Sequence, residues 1–596
     1  MGELQTEENG KAEKNGKVMK NGTENYENNG RVGGKGKGKN GNHLYRITPQ
    51  IEEMEIEIEN TVVKPGRSCC EKIALSSCLF GFVFIVGGVI SALLMRPYVH
   101  NQIEENLVLA ENGKAFHGWK DPPVTPILKI YFFNLTNSVE FLNGAKPIVN
   151  KVGPYVYLQE IHKTNVSFHD EGEKVTFSDN KTYYFSPDLS TGSETDQLIL
   201  PNLPLLGAIK KFGNDLTTLS LFLSMLRSKT FGIDKGPFLN LNVREYLWGY
   251  PSLILSIAEN QACESSRVEE FQGRGFEDDW DNWDDEEEDE KEEDVRSKAG
   301  VEENCRIDPL NLNKFGLFLN TNGTVRNQRT VHTGKNDLRL KGMYSSIGGE
   351  SRISSWSNES CNLLDGRDPG TLTVDLKKDE PLGLYFQSLC RRINFRYMKT
   401  IQHYGIDAYR FSPVEETFNS GSESGSNSCY CSRPPCPPSG VFDLSQGCKE
   451  NSPVLMSWPH FLYGDLELRE GVDGIPPPDR ENDSFQMELE PKWGTTLAIR
   501  ARFQMNVFIS NSGYSEFSKI KKGVYLPFLI LDEGIPGPNQ YVLSKVKMLM
   551  GLEDTVQSFT AVGGILLGLL CMIPEIIIWS RSCCCKTKSY SAVNKI

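Results

Sequence analysis

Two kinds of side chain in this sequence are spaced for covalent chemistry outside a reducing compartment. Eight cysteines, Cys263, Cys305, Cys361, Cys390, Cys429, Cys431, Cys436 and Cys448, fall in one stretch of the chain. An even set confined to one segment suits disulfides formed in an oxidising lumen. Asn134, Asn165, Asn180, Asn322, Asn358 and Asn482 each open an N-x-S/T triplet without proline, the acceptor pattern for an N-linked glycan. Of the remaining cysteines, Cys69 and Cys70, and Cys583, Cys584 and Cys585, border two apolar runs, while Cys78 and Cys571 lie inside them. Thiols at a cytosolic membrane face accept palmitate; a reduced, unmodified cluster is the alternative reading.

Catalytic spacing is missing. The chain has no G-x-S-x-G, no H-E-x-x-H and no P-loop, and GSESG at 421–425 puts its serine in the wrong place. The eight histidines are scattered without the spacing of metal ligands. No enzyme, metal or cofactor is therefore expected.

A third pattern is electrostatic. FEDDWDNWDDEEEDEKEED, residues 276–294, carries fourteen carboxylates against one lysine, nearly the whole net charge of −14. Such a balance argues against a nucleic-acid partner. The stretch reads as a solvated loop, as a docking site for a cationic partner with Trp280 and Trp283 as apolar anchors, or as a loose calcium site. It lacks the glycine-punctuated spacing of an EF-hand loop.

The elements that must hold these groups begin with the two apolar runs. Residues 73–95, IALSSCLFGFVFIVGGVISALLM, contain no charge and are long enough to cross a bilayer. Residues 556–579 form a second span, in which Gly564 and Gly568 make a GxxxG that could meet Gly87 and Gly88 or a second chain in a homo-oligomer. Lys64, Arg67 and Lys72 precede the first span and Arg581, Lys586 and Lys588 follow the second, so both termini are expected in the cytoplasm. Residues 1–72 are then a cytoplasmic tail, polar and repetitive enough to be disordered, 96–555 an extracellular or lumenal domain, and 580–596 a second cytoplasmic tail.

Within 96–555 short runs bounded by Gly, Pro and Asn read as strands. The clearest is Leu497 to Ile509: Leu497, Ile499, Ala501, Phe503, Met505, Val507 and Ile509 share one face, Arg500, Arg502, Gln504 and Asn506 the other, as in a half-buried antiparallel strand. KVTFSDNKTYYFS at 174–186 alternates similarly. Residues 200–229 instead group leucines at helical spacing and predict two or three helices.

GPYVY at 153–157, REYLWGY at 244–250, NKFGLFLNTNGT at 313–324, CYC at 429–431 with Cys436 and Cys448, WPHFLYG at 458–464 and LEPKWGTTLAIRARFQMNVFI at 489–509 resemble the class B scavenger receptors, which include fatty-acid translocases, lysosomal integral membrane proteins and insect sensory-neuron membrane proteins. The likeness runs from about residue 72 to 590 in unbroken order. It implies a mixed α+β membrane protein: two transmembrane helices flank a large antiparallel β-barrel-like ectodomain, with an apical helical bundle and an internal hydrophobic tunnel. It also implies disulfides Cys361–Cys429, Cys390–Cys448 and Cys431–Cys436. Cys263 and Cys305 match nothing in the family core, and the economical inference is that they pair, closing residues 263–305 as a tethered acidic insertion.

Such a receptor takes lipids, fatty acids, sterols or lipoprotein particles at the apex and passes lipid to the membrane without covalent chemistry. Apical cations Lys210, Lys211, Arg227 and Lys229 are the candidates for steering anionic ligands, against the reading that they only solvate helix faces. A trafficking receptor for a protein cargo is the alternative, and a two-span channel is disfavoured because neither span carries a polar stripe. Tyr590 and Val593 fit a tyrosine-based endocytic signal, consistent with the cell surface and endosomal cycling, with the lysosome second.

Overall fold

The computed structural model describes residues 69–593, apart from 112, 214, 229–233, 259–311, 420–426, 450–451 and 536. Lys229, Cys263, Cys305 and the acidic insertion therefore lie outside the described residues, as do residues 1–68. The backbone at Cys69, Cys70, Cys583, Cys584, Cys585, Tyr590 and Val593 is helical, but their side chains lie outside the description.

Both apolar runs form helices, α1 (Cys69–Leu107) and, near the other end of the chain, a helix of 54 residues, Gln540–Val593. Each is long and apolar enough to cross a membrane. They continue well past the apolar runs because α1 and the C-terminal helix support one another above the membrane. Glu553, almost fully buried, accepts from His100 Nδ1 at 2.9 Å and from Lys492 Nζ at 2.8 Å. Trp493 is buried against Val99, Ile103, Leu549 and Val556. Lower down, the two helices cross on glycine. A Cβ on Gly88 would stand 2.7 Å from the Gly564 Cα, and one on Gly81 would stand 2.9 Å from the Gly568 carbonyl oxygen. Backbones approach that closely only where side chains are absent. The Gly88–Gly564 contact is intramolecular, whereas Gly87 meets nothing.

Between the helices a thirteen-stranded sheet is antiparallel in all its strand pairings. Its strands are β1 (Ile127–Leu135), β2 (Val149–His169), β3 (Lys174–Phe185), β4 (Thr324–His332), β5 (Tyr344–Ile347), β6 (Leu382–Phe386), β7 (Arg391–His403), β8 (Ile406–Pro413), β9 (Val441–Asp443), β10 (Val454–Ser457), β11 (Gln486–Leu489), β12 (Thr496–Ile509) and β13 (Val524–Ile535). The order is β6-β7-β8-β11-β12-β13-β1-β2-β3-β4-β5, with β10 joining the far half of β12 and β9 pairing with β10.

The two ends of this order meet. Arg367 bridges Met343, next to β5, and Leu384 of β6. Tyr344 N donates to the Gly366 carbonyl at 3.0 Å, and Tyr385 N to the Arg367 carbonyl at 2.9 Å. Buried charge reinforces this seam: Arg329 of β4 donates to Asp368 at 2.9 Å and to Asp179 of β3 at 2.7 Å, with Arg329 and Asp368 nearly inaccessible. Thr371 Oγ1 donates to Asp368 and accepts from Trp119 Nε1, and Lys163, also buried, lies over the Trp119 ring. The sheet is a nearly closed barrel with a mixed α+β surround.

On β12 one expectation needs correcting. Gln504 and Asn506, read as outward, are fully buried. The far half of β12 pairs with β10, where Asn506 donates to Ser457 Oγ at 3.0 Å and Gln504 to Ser457 Oγ at 3.2 Å, and a register shift follows Met505. A buried polar row is stable only when its groups bond one another, and these do.

Three disulfides brace the β9–β10 side: Cys361–Cys429, Cys390–Cys448 and Cys431–Cys436, with Cα separations of 6.1, 5.3 and 5.8 Å.

Candidate functional site

The barrel end away from the long helices is built from the leucine-rich segment. A short ribbon, residues 197–201 paired with 238–242, leaves the barrel beside Asn134, whose Oδ1 accepts from Ile199 N at 2.8 Å. Between its strands run α2 (Leu203–Phe212) and α3 (Leu216–Ser228). Asn202 caps α2, accepting from Leu205 N at 3.1 Å; Asp215 caps α3, accepting from Thr217 N at 3.0 Å. Leu203, Leu205, Leu206 and Ile209 of α2 and Leu219, Phe222, Leu223 and Leu226 of α3 are buried, while Leu221 is 61% exposed on the outer face of α3.

The predicted cations are spread around this bundle and do not converge. Lys210 is held by both oxygens of Asp443, at 3.0 Å each. Lys211 is exposed, with Nζ 5.4 Å from the Phe212 ring centroid. Arg227 donates to Ser515 Oγ at 2.9 Å, tying α3 to the loop between β12 and β13.

A better-formed recess lies beside that loop. A cleft of about 630 Å³ is walled by residues 144–147, 467–471 and 520–525. Its floor is apolar: Phe141 is buried, and the Phe508 and Tyr525 rings lie 4.7 Å apart. Burial, then Glu467 and Asp443, push the Tyr525 hydroxyl up to about 12. Lys146, Lys521 and Lys522 line the cleft together with Glu467 and Glu470. Lys522 pairs with Glu467 at 3.6 Å and Lys146 with Asp473 at 2.5 Å, while Lys519 donates to Asn143 Oδ1 at 2.7 Å. In the sequence these lysines stand as the run Lys519-Ile520-Lys521-Lys522 between two strands, a signal that does not by itself place an apolar floor beneath them. The arrangement can seat an apolar group beneath a rim of lysine and glutamate side chains.

Ile499, Ala501, Phe503 and Met505 pack on the main core and are half buried. Asn165, Asn322, Asn358 and Asn482 are exposed, and Asn134 and Asn180 half-buried.

The chain matches the CD36 family over residues 79–578. It is 28% identical to scavenger receptor class B member 1 of Mus musculus over 469 residues, 78% of this chain and 82% of that one. It is 28% identical to lysosome membrane protein 2 of Mus musculus over 473 residues, 79% of this chain and 87% of that one. These relatives carry receptor or membrane-protein names and none of an enzyme. Two spans, a nearly closed antiparallel barrel between them and a match over most of its length leave one conclusion: this two-span membrane protein belongs to the CD36 family, the class B scavenger receptors.

Proposed function

We propose that this protein is a scavenger receptor that captures lipids, fatty acids, sterols or lipoprotein particles at the apical cleft and passes lipid through the barrel interior to the membrane. The observation that carries the reading is the cleft itself, an apolar floor under lysines 146, 521 and 522 at the barrel end opposite the spans. Cations there raise the local concentration of anionic ligands over roughly a Debye length, about 8 Å in physiological salt. The half-buried inward face of β12 supports an apolar route below the cleft; moving a chain through it is worth about 0.8 kcal/mol per methylene kept from water. Both termini face the cytoplasm, the six sequons and eight cysteines lie outside it, and the protein cycles between plasma membrane and endosomes.

A second reading, a trafficking receptor that binds a protein cargo on the apical helices, is favoured by one observation, the exposed Leu221 beside Thr217, Ser220 and Ser224 on α3. One experiment separates the two. Cells expressing the full chain take up tracer sterol and bind anionic-lipid vesicles; Lys521→Glu with Lys522→Glu weakens vesicle binding about tenfold at low salt, and Leu221→Asp leaves it unchanged. Lipid uptake no higher than in untransfected cells overturns the lipid reading.

A further inference from the structure

Arg391 opens β7 on the disulfide-braced side of the barrel and is 2% exposed. It forms no ion pair with any carboxylate among the described residues. Its guanidinium carbon sits 4.0 Å from the Tyr430 ring centroid, 4.8 Å from Phe442 and 5.9 Å from Phe418. Nη2 donates to Asn427 Oδ1 at 3.1 Å, but Nε and Nη1 have no partner. Burial lowers its pKa to about 10, so it stays charged at neutral pH.

Its surroundings are short of acceptors in the same way. Gln387 Nε2, in the turn before Arg391, and Trp458 Nε1, whose ring lies 4.6 Å from Phe418, are also buried donors without partners. Asn419 Oδ1, one residue beyond Phe418, is a buried acceptor without a partner. Aromatic faces attract a cation but accept little from in-plane N–H groups, and a native interior leaves few such groups unpaired. A buried guanidinium with two N–H groups unpaired and no carboxylate paired with it among the described residues marks a place that lacks one negative charge.

The cage around it is rigid. Tyr430 stands between Cys429 and Cys431, each in a different disulfide, and Cys390, next to Arg391, is bonded to Cys448. Trp356 packs on Tyr430 at 5.0 Å and donates from Nε1 to the Cys390 carbonyl at 2.8 Å. Phe418, Phe442 and Trp458 are at most 1% exposed, which closes the cage to anything carrying an acyl chain.

We infer that this cage is a binding site for a small monovalent anion of halide size, held by Arg391 with Gln387 and Trp458 as the further donors. The inference goes beyond the apical reading and does not depend on it. Bound only by the folded state, the anion links fold stability to its own concentration: above its Kd, each tenfold rise in halide raises the folded-to-unfolded ratio about tenfold.

The test follows thermal unfolding of the full chain in detergent, with sodium chloride or bromide exchanged for sodium gluconate at constant ionic strength. The expected result is a midpoint that climbs with halide in the wild type and not in Arg391→Met or after reduction of the disulfides. Should Arg391→Met not fold, wild-type crystals soaked in bromide supply the second measurement, with an anomalous peak in contact with Arg391. A wild-type midpoint indifferent to halide, together with no such peak, overturns the inference. So does a halide response undiminished in Arg391→Met.

Discussion

Replacing Arg329 by methionine should loosen the barrel at its seam. Two carboxylates depend on that guanidinium, Asp368 at 2.9 Å and Asp179 at 2.7 Å. Asp368 is 2% exposed. Burial pushes its carboxyl up, but Arg329 and Lys163 outweigh this and hold it below the usual carboxylate range. Arg329→Met keeps the stem and removes the charge, which leaves a buried carboxylate with Thr371, Tyr344 and a more distant Lys163. Removing one member of a buried pair costs about 3–5 kcal/mol. For a domain of this size, each kcal/mol is worth about 1–2 °C, so the melting midpoint at pH 7 should fall by about 3–10 °C. Adding Asp368→Leu and Asp179→Asn removes the stranded charges and should recover more than half of that loss. The sign of the pH dependence is fixed. A depressed carboxyl stabilises above its unfolded pKa of about 4 and loses the contribution as pH falls through the folded value, so the Arg329→Met deficit persists at pH 5. A midpoint within 1 °C of wild type, or a triple variant no better than the single, would refute the argument that charge closes the seam.

The glycine crossing makes a paired prediction. Gly564→Val, set against Gly88, should destabilise the chain in micelles by about 1–3 kcal/mol, whereas Gly563→Val, with nothing within 4 Å, should melt like wild type. Glu553→Gln removes the carboxylate shared by His100 and Lys492; it should speed proteolysis between the C-terminal helix and the barrel at pH 7, measured by limited digestion. His332 has a lowered pKa, from burial and then Lys174. Its neutral form is favoured in the fold, so it costs nothing above about pH 6.5 and destabilises as pH drops below. Melting curves at pH 7.5 and 5.0 should differ less in His332→Gln than in the wild type.

How legible these features were depends on the range over which they are determined. The spans were readable because an uncharged run reports directly on its solvent. Their extension above the membrane was not, because Arg96, His100 and Glu553 look like loop residues until the second helix is beside them. Alternation from Leu497 to Ile509 identified the strand, yet its register with β10 buries Gln504 and Asn506, and pairing across some fifty residues leaves no local trace. Lys210 read as a free apical cation because its partner, Asp443, is 233 positions away. Lys521 and Lys522 were visible as a run, but only the fold brings Phe141, Phe508 and Tyr525 beneath them.

The seam at Arg367 has a consequence for how many copies of this receptor one patch of membrane can hold. An open sheet offers its unpaired outer strands to the next molecule, and neighbours concentrated in two dimensions would polymerise strand to strand. Here β5 and β6, the two ends of the main strand order, are both engaged by residues 366–368. Neither end of the main strand order then templates a neighbour, and contact there is left to side chains.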